Sequence, residues 1–113
     1  INLLNKKMEK TLKFEVELDE NHLPVNIEMY ADNSENESNI KALMISAWAA
    51  QTKETLRIDL WSKDMPVHDM LIMFHQSMMG MATTLEKATG HDKIAGALRD
   101  YCDFFAKETK IQG

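Results

Sequence analysis

The sequence predicts an α+β fold: a four-stranded antiparallel sheet of two hairpins, followed by two C-terminal helices packed on one face of it. Three observations lead there. Apolar residues alternate at period two in successive segments between Leu12 and Trp61. From Val67 onward they recur at helical spacing instead. All the strand patterns precede all the helix patterns, unlike the alternating strand and helix order of a parallel sheet.

The first seven residues show no sustained period and precede an internal Met8, so residues 1–8 read as a flexible leader or added segment before a single domain at 9–110. Leu12, Phe14, Val16 and Leu18 then alternate with Lys13, Glu15 and Glu17, a half-buried strand with one solvated side. Asp19 to His22 form a turn. Pro24 opens the second strand, where Val25, Ile27 and Met29 alternate with Asn26, Glu28 and Tyr30, closing the first hairpin. The stretch Asp32 to Asn39 is polar and acidic and has nothing large to bury, which predicts a mobile loop. Its Asn36-Glu37-Ser38 fits the glycosylation pattern by chance if the protein is cytoplasmic.

The third strand, Ile40 to Ala49, is apolar at both parities. Leu43, Ile45 and Ala47 lie on one side, Met44 and Trp48 on the other, and such a strand is usually covered on both faces. Gln51 to Lys53 turn the chain into the fourth strand at Glu54, where Leu56, Ile58 and Leu60 alternate with Thr55, Arg57 and Asp59. Lys63 to Pro66 end it, because proline cannot donate to a ladder but fits the first turn of a helix.

In the first helix Val67, Leu71, Phe74, Met78, Met81, Leu85 and Ala88 form one stripe, and Thr89-Gly90 stops it. The last helix starts near Asp92 and carries Ile94, Leu98, Tyr101 and Phe105 on one face, with a tail after Lys107 that frays. The predicted core is Phe14, Val16, Ile27, Ile45, Ile58 and Leu60 from the sheet with Leu71, Phe74, Met78, Leu85, Leu98 and Phe105 from the helices.

Composition narrows the function. At 113 residues and 44% hydrophobic, the chain has room for one core. A net charge of -5 without a basic cluster argues against nucleic acid as a partner. The single Cys102 excludes an internal disulfide, no apolar run approaches a membrane span, and the N-terminus lacks a signal-peptide core, so a cytoplasmic location without membrane insertion is expected.

The search for chemistry predicts no catalytic residue, no cofactor and no metal site. His68 and His75 are two turns, about 10.5 Å, apart on one helix, and Leu71, Ile72, Met78 and Met79 around His75 are not ligands. His91-Asp92 reads as a helix start, and Cys102 has no evident activating base. Ser46 and Ser77 lack a nucleophile-elbow context, and the four glycines make no phosphate-binding pattern. Asp59, Asp64 and Asp69 cluster near the strand-to-helix junction, where Asp64 is better explained as a helix-start group.

The stretch LRIDLWSKDMPV at Leu56 to Val67, followed by FHQ at Phe74 to Gln76, resembles the central signature of the gliding motility protein GldC family. EVELDENHLPVNI upstream and DYCDFFAKE downstream resemble its flanks, and the likeness covers most of the chain from about Met8. The resemblance implies a small soluble accessory protein of the gliding apparatus with no assigned catalytic activity. Its partner would be a protein of the gliding or associated secretion machinery.

Two sets of residues are candidates for that contact. If Leu56, Ile58 and Leu60 face the core, Trp61 points the other way, and Met44 and Trp48 can join it there. These three then form a self-association or partner-docking surface, unless strand three is out of phase or the N-terminal segment covers them. Ile72 and Met79 fall off the stripe of the first helix, so either the last helix covers them or they form a methionine-rich partner surface. Two other readings stand beside the adaptor. Four strands followed by two helices is also the layout of the SecB export chaperone, a comparison of element order alone, and a small enzyme is the third.

Overall fold

Among the described residues five strands, not four, precede the helices. The computed structural model describes residues 8–32 and 36–111. It contains β1 (Leu12–Leu18), β2 (Pro24–Ala31), β3 (Glu37–Ile40), β4 (Ala42–Ala49) and β5 (Glu54–Trp61), then α1 (Val67–Thr89) and α2 (Asp92–Thr109). The strands belong to one compact unit ending at Met65, and the helices to a second beginning at Pro66. The expected flexible leader lies almost wholly outside the described residues.

The single four-stranded sheet is corrected to two antiparallel sheets, one ordered β1-β2-β3 and one β4-β5. The cause lies around Lys41. Chain that reads as one strand from Ile40 pairs with β2 through Glu37 to Ile40, and past Lys41 it changes partner to β5. Between the pairs Ile27↔Ile40 and Met29↔Glu37, β2 advances two residues and β3 three. The extra residue is a bulge, and Asn39 sits there with a φ of 64°, a left-handed conformation that asparagine tolerates better than most. Of the loop expected from Asp32 to Asn39, residues 33–35 lie outside the described residues, and Glu37 to Asn39 belong to β3 instead. Glu37 pairs with Met29, and the polar side chains of Glu37 to Asn39 give no alternation to read. With the four-stranded layout gone, the likeness to SecB in element order goes too.

A second bulge lies in the first hairpin, where the pairs Glu17↔Asn26 and Leu18↔Pro24 leave Val25 over. The turn beyond it is built by Asp19. Its carboxylate Oδ1 accepts the backbone N–H groups of Asn21 at 2.8 Å and Leu23 at 3.0 Å, the side-chain turn that aspartate favours. His22 completes it with a φ of 64°.

Ile27 is the one large aliphatic side chain fully buried among the described residues, with Phe14 and Val16 half-buried on the strand beside it. Two members of the predicted core are exposed instead. Ile58 is 53% accessible, in a sheet of two strands with only β4 beside it, and Phe74 is 43% accessible.

Phe74 is exposed because both helices meet through neighbouring positions. Contacts between α1 and α2 run through the stacked rings of His75 and Phe105, 6.3 Å apart, and the Glu86–Arg99 ion pair at 2.8 Å. The fully buried residues of the two helices are Ala82, Ala95, Cys102 and Ala106. Ala82 follows Met81 of the predicted stripe on α1, and Cys102 follows Tyr101 on α2. One residue is about 100° of helix, so the small side chains take the seam and the larger ones flank it. α1 ends as expected at Gly90, whose φ is 73° and whose N–H donates to Glu86 O at 2.8 Å.

Candidate functional site

The β4–β5 hairpin differs from the other strand pairs in regularity. Its register runs unbroken through eight pairs, from Ala42↔Trp61 to Ala49↔Glu54, whereas both pairings of the three-stranded sheet are bulged. Side chains opposite one another in such a ladder share a face. Leu43, Ile45 and Ala47 therefore join Leu56, Ile58 and Leu60, while Met44, Ser46 and Trp48 join Thr55, Arg57, Asp59 and Trp61.

Both faces carry exposed apolar groups. Leu56 is 58% accessible on the first, and Trp48 and Trp61 are 65% and 56% accessible on the second. The two tryptophans are not neighbours, however. Trp61 pairs with Ala42 and Trp48 with Thr55, so six residues of strand, about 20 Å, separate them. Half-buried Met44 lies between, beside a polar cluster. Arg57 donates through Nη2 and Nε to the two carboxylate oxygens of Asp59, at 2.7 and 3.3 Å, and through Nη1 to the hydroxyl of Ser46. Ile72, half-buried, and Met79, exposed at the margin, belong to the helical unit.

The end of β5 is locked by residues the sequence did not single out together. Ser62 is buried; its N–H donates to Lys41 O at 2.7 Å and its hydroxyl to Asp64 Oδ1 at 2.7 Å. Lys41 Nζ lies 3.4 Å from the other Asp64 oxygen. Lys63 reaches back to the first hairpin twice, its N–H to Pro24 O at 3.3 Å and its Nζ to Asp19 Oδ2 at 2.8 Å. The Ser62 hydroxyl, with Lys41 behind it, holds the Asp64 carboxyl below the usual carboxylate range. Lys63, with the Leu23 amide, does the same for Asp19. Leu23, Pro24, Leu60 and Trp61 wall a shallow cavity of about 270 Å³ beside Asp59 and Lys63. An aspartate opening a hairpin turn was the one sequence signal that could have pointed to this lock.

The remaining titratable candidates have structural surroundings. His75 stacks on Phe105, His91 starts α2 with its N–H on Thr89 Oγ1 at 3.1 Å, and burial pushes the Cys102 thiol up, with Asp103 adding to it. The Tyr30 hydroxyl donates to Glu28, and that hydrogen bond, which only the protonated phenol can make, raises the phenol to about 12. Among the described residues no three His, Cys, Asp or Glu side chains are grouped to hold a metal ion.

A family model described as gliding motility-associated protein GldC-like matches residues 24–111, from the start of β2 to two residues past α2. The chain belongs to this family. The GldC-like match takes in the whole β4–β5 hairpin, the Ser62 to Pro66 junction and both helices, and it associates the chain with gliding motility. No curated protein and no solved structure matches the chain. No described helix of this GldC-like chain is long and apolar enough to cross a membrane.

Proposed function

We propose that this GldC-like chain is a non-catalytic accessory protein that supports gliding from the cytoplasmic side by docking a protein of the gliding machinery on its β4–β5 hairpin. The observation that carries this reading is the exposure of large apolar side chains on both faces of one regular hairpin. Apolar area left in water forgoes roughly 25 cal/mol per Å², and tryptophan is enriched at binding hot spots. The free, buried thiol of Cys102 fits a reducing compartment. The polar groups near the junction are engaged with one another, Asp19 with Lys63, Asp59 with Arg57 and Asp64 with Ser62. That favours a structural role for them over an enzymatic one.

The test is capture from gliding cells with the wild-type chain and with Trp48→Ser/Trp61→Ser, after circular dichroism shows that both are folded. A component of the gliding machinery retained by the wild type and lost by the variant is the expected result. Equal capture by both would remove the hairpin as the docking surface.

A further inference from the structure

The outer edge of β5 is open, regular and complementary to itself. In an antiparallel ladder, successive residues turn their backbone N–H and C=O groups to alternate sides. Ser62 N–H bonds Lys41 O, so the even-numbered residues of β5 face β4 and Thr55, Arg57, Asp59 and Trp61 face outward. No strand among the described residues pairs with that side. Lys63 is the next outward residue, and Pro24 O occupies its N–H. The open edge is thus Thr55 to Trp61, and its midpoint is Ile58.

We propose that a second copy of this chain pairs on this edge, β5 antiparallel to β5 about a two-fold axis at Ile58, joining two hairpins into one four-stranded sheet. The register follows from where the edge opens and closes, and its charges then match. Arg57 falls opposite Asp59 of the second copy and Asp59 opposite its Arg57, while Leu56 falls opposite its Leu60 and Ile58 opposite its own equivalent. Outward-facing residues meet outward-facing residues throughout, as the backbone bonds require. A closed two-fold contact of this kind is self-complementary by construction.

This pairing also accounts for the separated tryptophans. Trp61 falls opposite Thr55 of the second copy, and Thr55 is paired on its inner side with Trp48. Side chains about 20 Å apart in one chain come within two strand spacings, about 10 Å, across the joint, on one face. On the other face Ile45 and Ile58 of both copies form a single row. An unblunted edge strand of this length is a template for such pairing: β5 has no proline and no bulge along its open stretch, and Arg57 and Asp59, whose backbone groups face that edge and whose side chains share one sheet face, meet opposite charges of the second copy in this register.

The inference concerns the edge of β5 and not its faces, so it is tested on purified protein with no other partner present. Light scattering is expected to give twice the mass of one chain, and Asp59→Arg, which sets four arginines together, is expected to give the single mass with unchanged circular dichroism. Arg57→Asp/Asp59→Arg restores opposite charges across the joint and should restore the double mass. Ile58→Cys supplies a readout that survives if either charge variant misfolds. Non-hydrogen-bonded partners lie about 4.5 Å apart at Cα, within the span of a disulfide. Mild oxidation should link Ile58→Cys chains in pairs and leave Leu56→Cys chains single, while buried Cys102 stays out of the reaction. A single mass for the wild type at its highest soluble concentration would overturn the proposal. So would equal cross-linking at both positions, or a folded double variant that stays single.

Discussion

Lys63 Nζ lies 2.8 Å from Asp19 Oδ2 across 44 residues of sequence, and the same Asp19 carboxylate accepts two backbone amides of its own turn. One side chain therefore shapes a hairpin turn and ties it to the end of β5.

Asp19→Asn should destabilise the fold more than Lys63→Ala, since the first disturbs the turn and the tie while the second removes the tie alone. The pH dependence has a definite sign. Asp19 and Asp64 both have folded pKa values below their ordinary ones, so their contribution is present above the unfolded carboxylate pKa of about 4 and is lost as the pH falls through the folded values. Denaturant titrations of wild type and Asp19→Asn from neutral to acid pH should show a gap that narrows on acidification. A constant gap would mean that the carboxylate charge contributes nothing.

Tyr30 should stay protonated in alkali until about pH 12, held by its hydrogen bond to Glu28. Because its folded pKa is raised, the associated stability is intact below about pH 10, the unfolded phenol value, and disappears as the pH rises through the folded one. An ultraviolet titration checks this, and Glu28→Gln should return the phenol toward its ordinary range. A Tyr30 that ionises no later in the wild type than in that variant would contradict the hydrogen bond.

Ile27→Ala should cost about 2 to 5 kcal/mol, the usual range for emptying a buried aliphatic site, and Phe74→Ala less than the ~3 to 5 kcal/mol of a core aromatic. Ile27 is fully buried and Phe74 is not. Equilibrium denaturation of both variants would decide it, and the reverse order would restore the helix register read from periodicity.

Strand and helix identities were readable where apolar residues recur at a regular period in the sequence, as in β1, β2, β5 and both helices. What escaped the sequence was partnership. Glu37 to Asn39 are all polar, so β3 had no pattern, and nothing in the string Ile40 to Ala49 marks the exchange of neighbours at Lys41. Helix orientation was missed by one residue because periodicity weighs bulk, whereas the seam is filled by Ala82, Ala95, Cys102 and Ala106, whose small side chains let two backbones approach. For the candidate surface, parity correctly put Met44, Trp48 and Trp61 on one face. Their spacing along the hairpin depends on register, which a turn of uncertain length leaves undefined.

Because Ala42 and Trp61 are partners, the chain enters and leaves the β4–β5 hairpin at the same end. Tension applied to the polypeptide from either side would peel that ribbon open pair by pair, a weak mode, instead of loading all its rungs in parallel. The first rungs to feel such a load are the bond from Ser62 to Lys41 and the clasp of Lys63 on Pro24 and Asp19. Breaking those bonds would leave the rest of the ribbon to open one pair at a time.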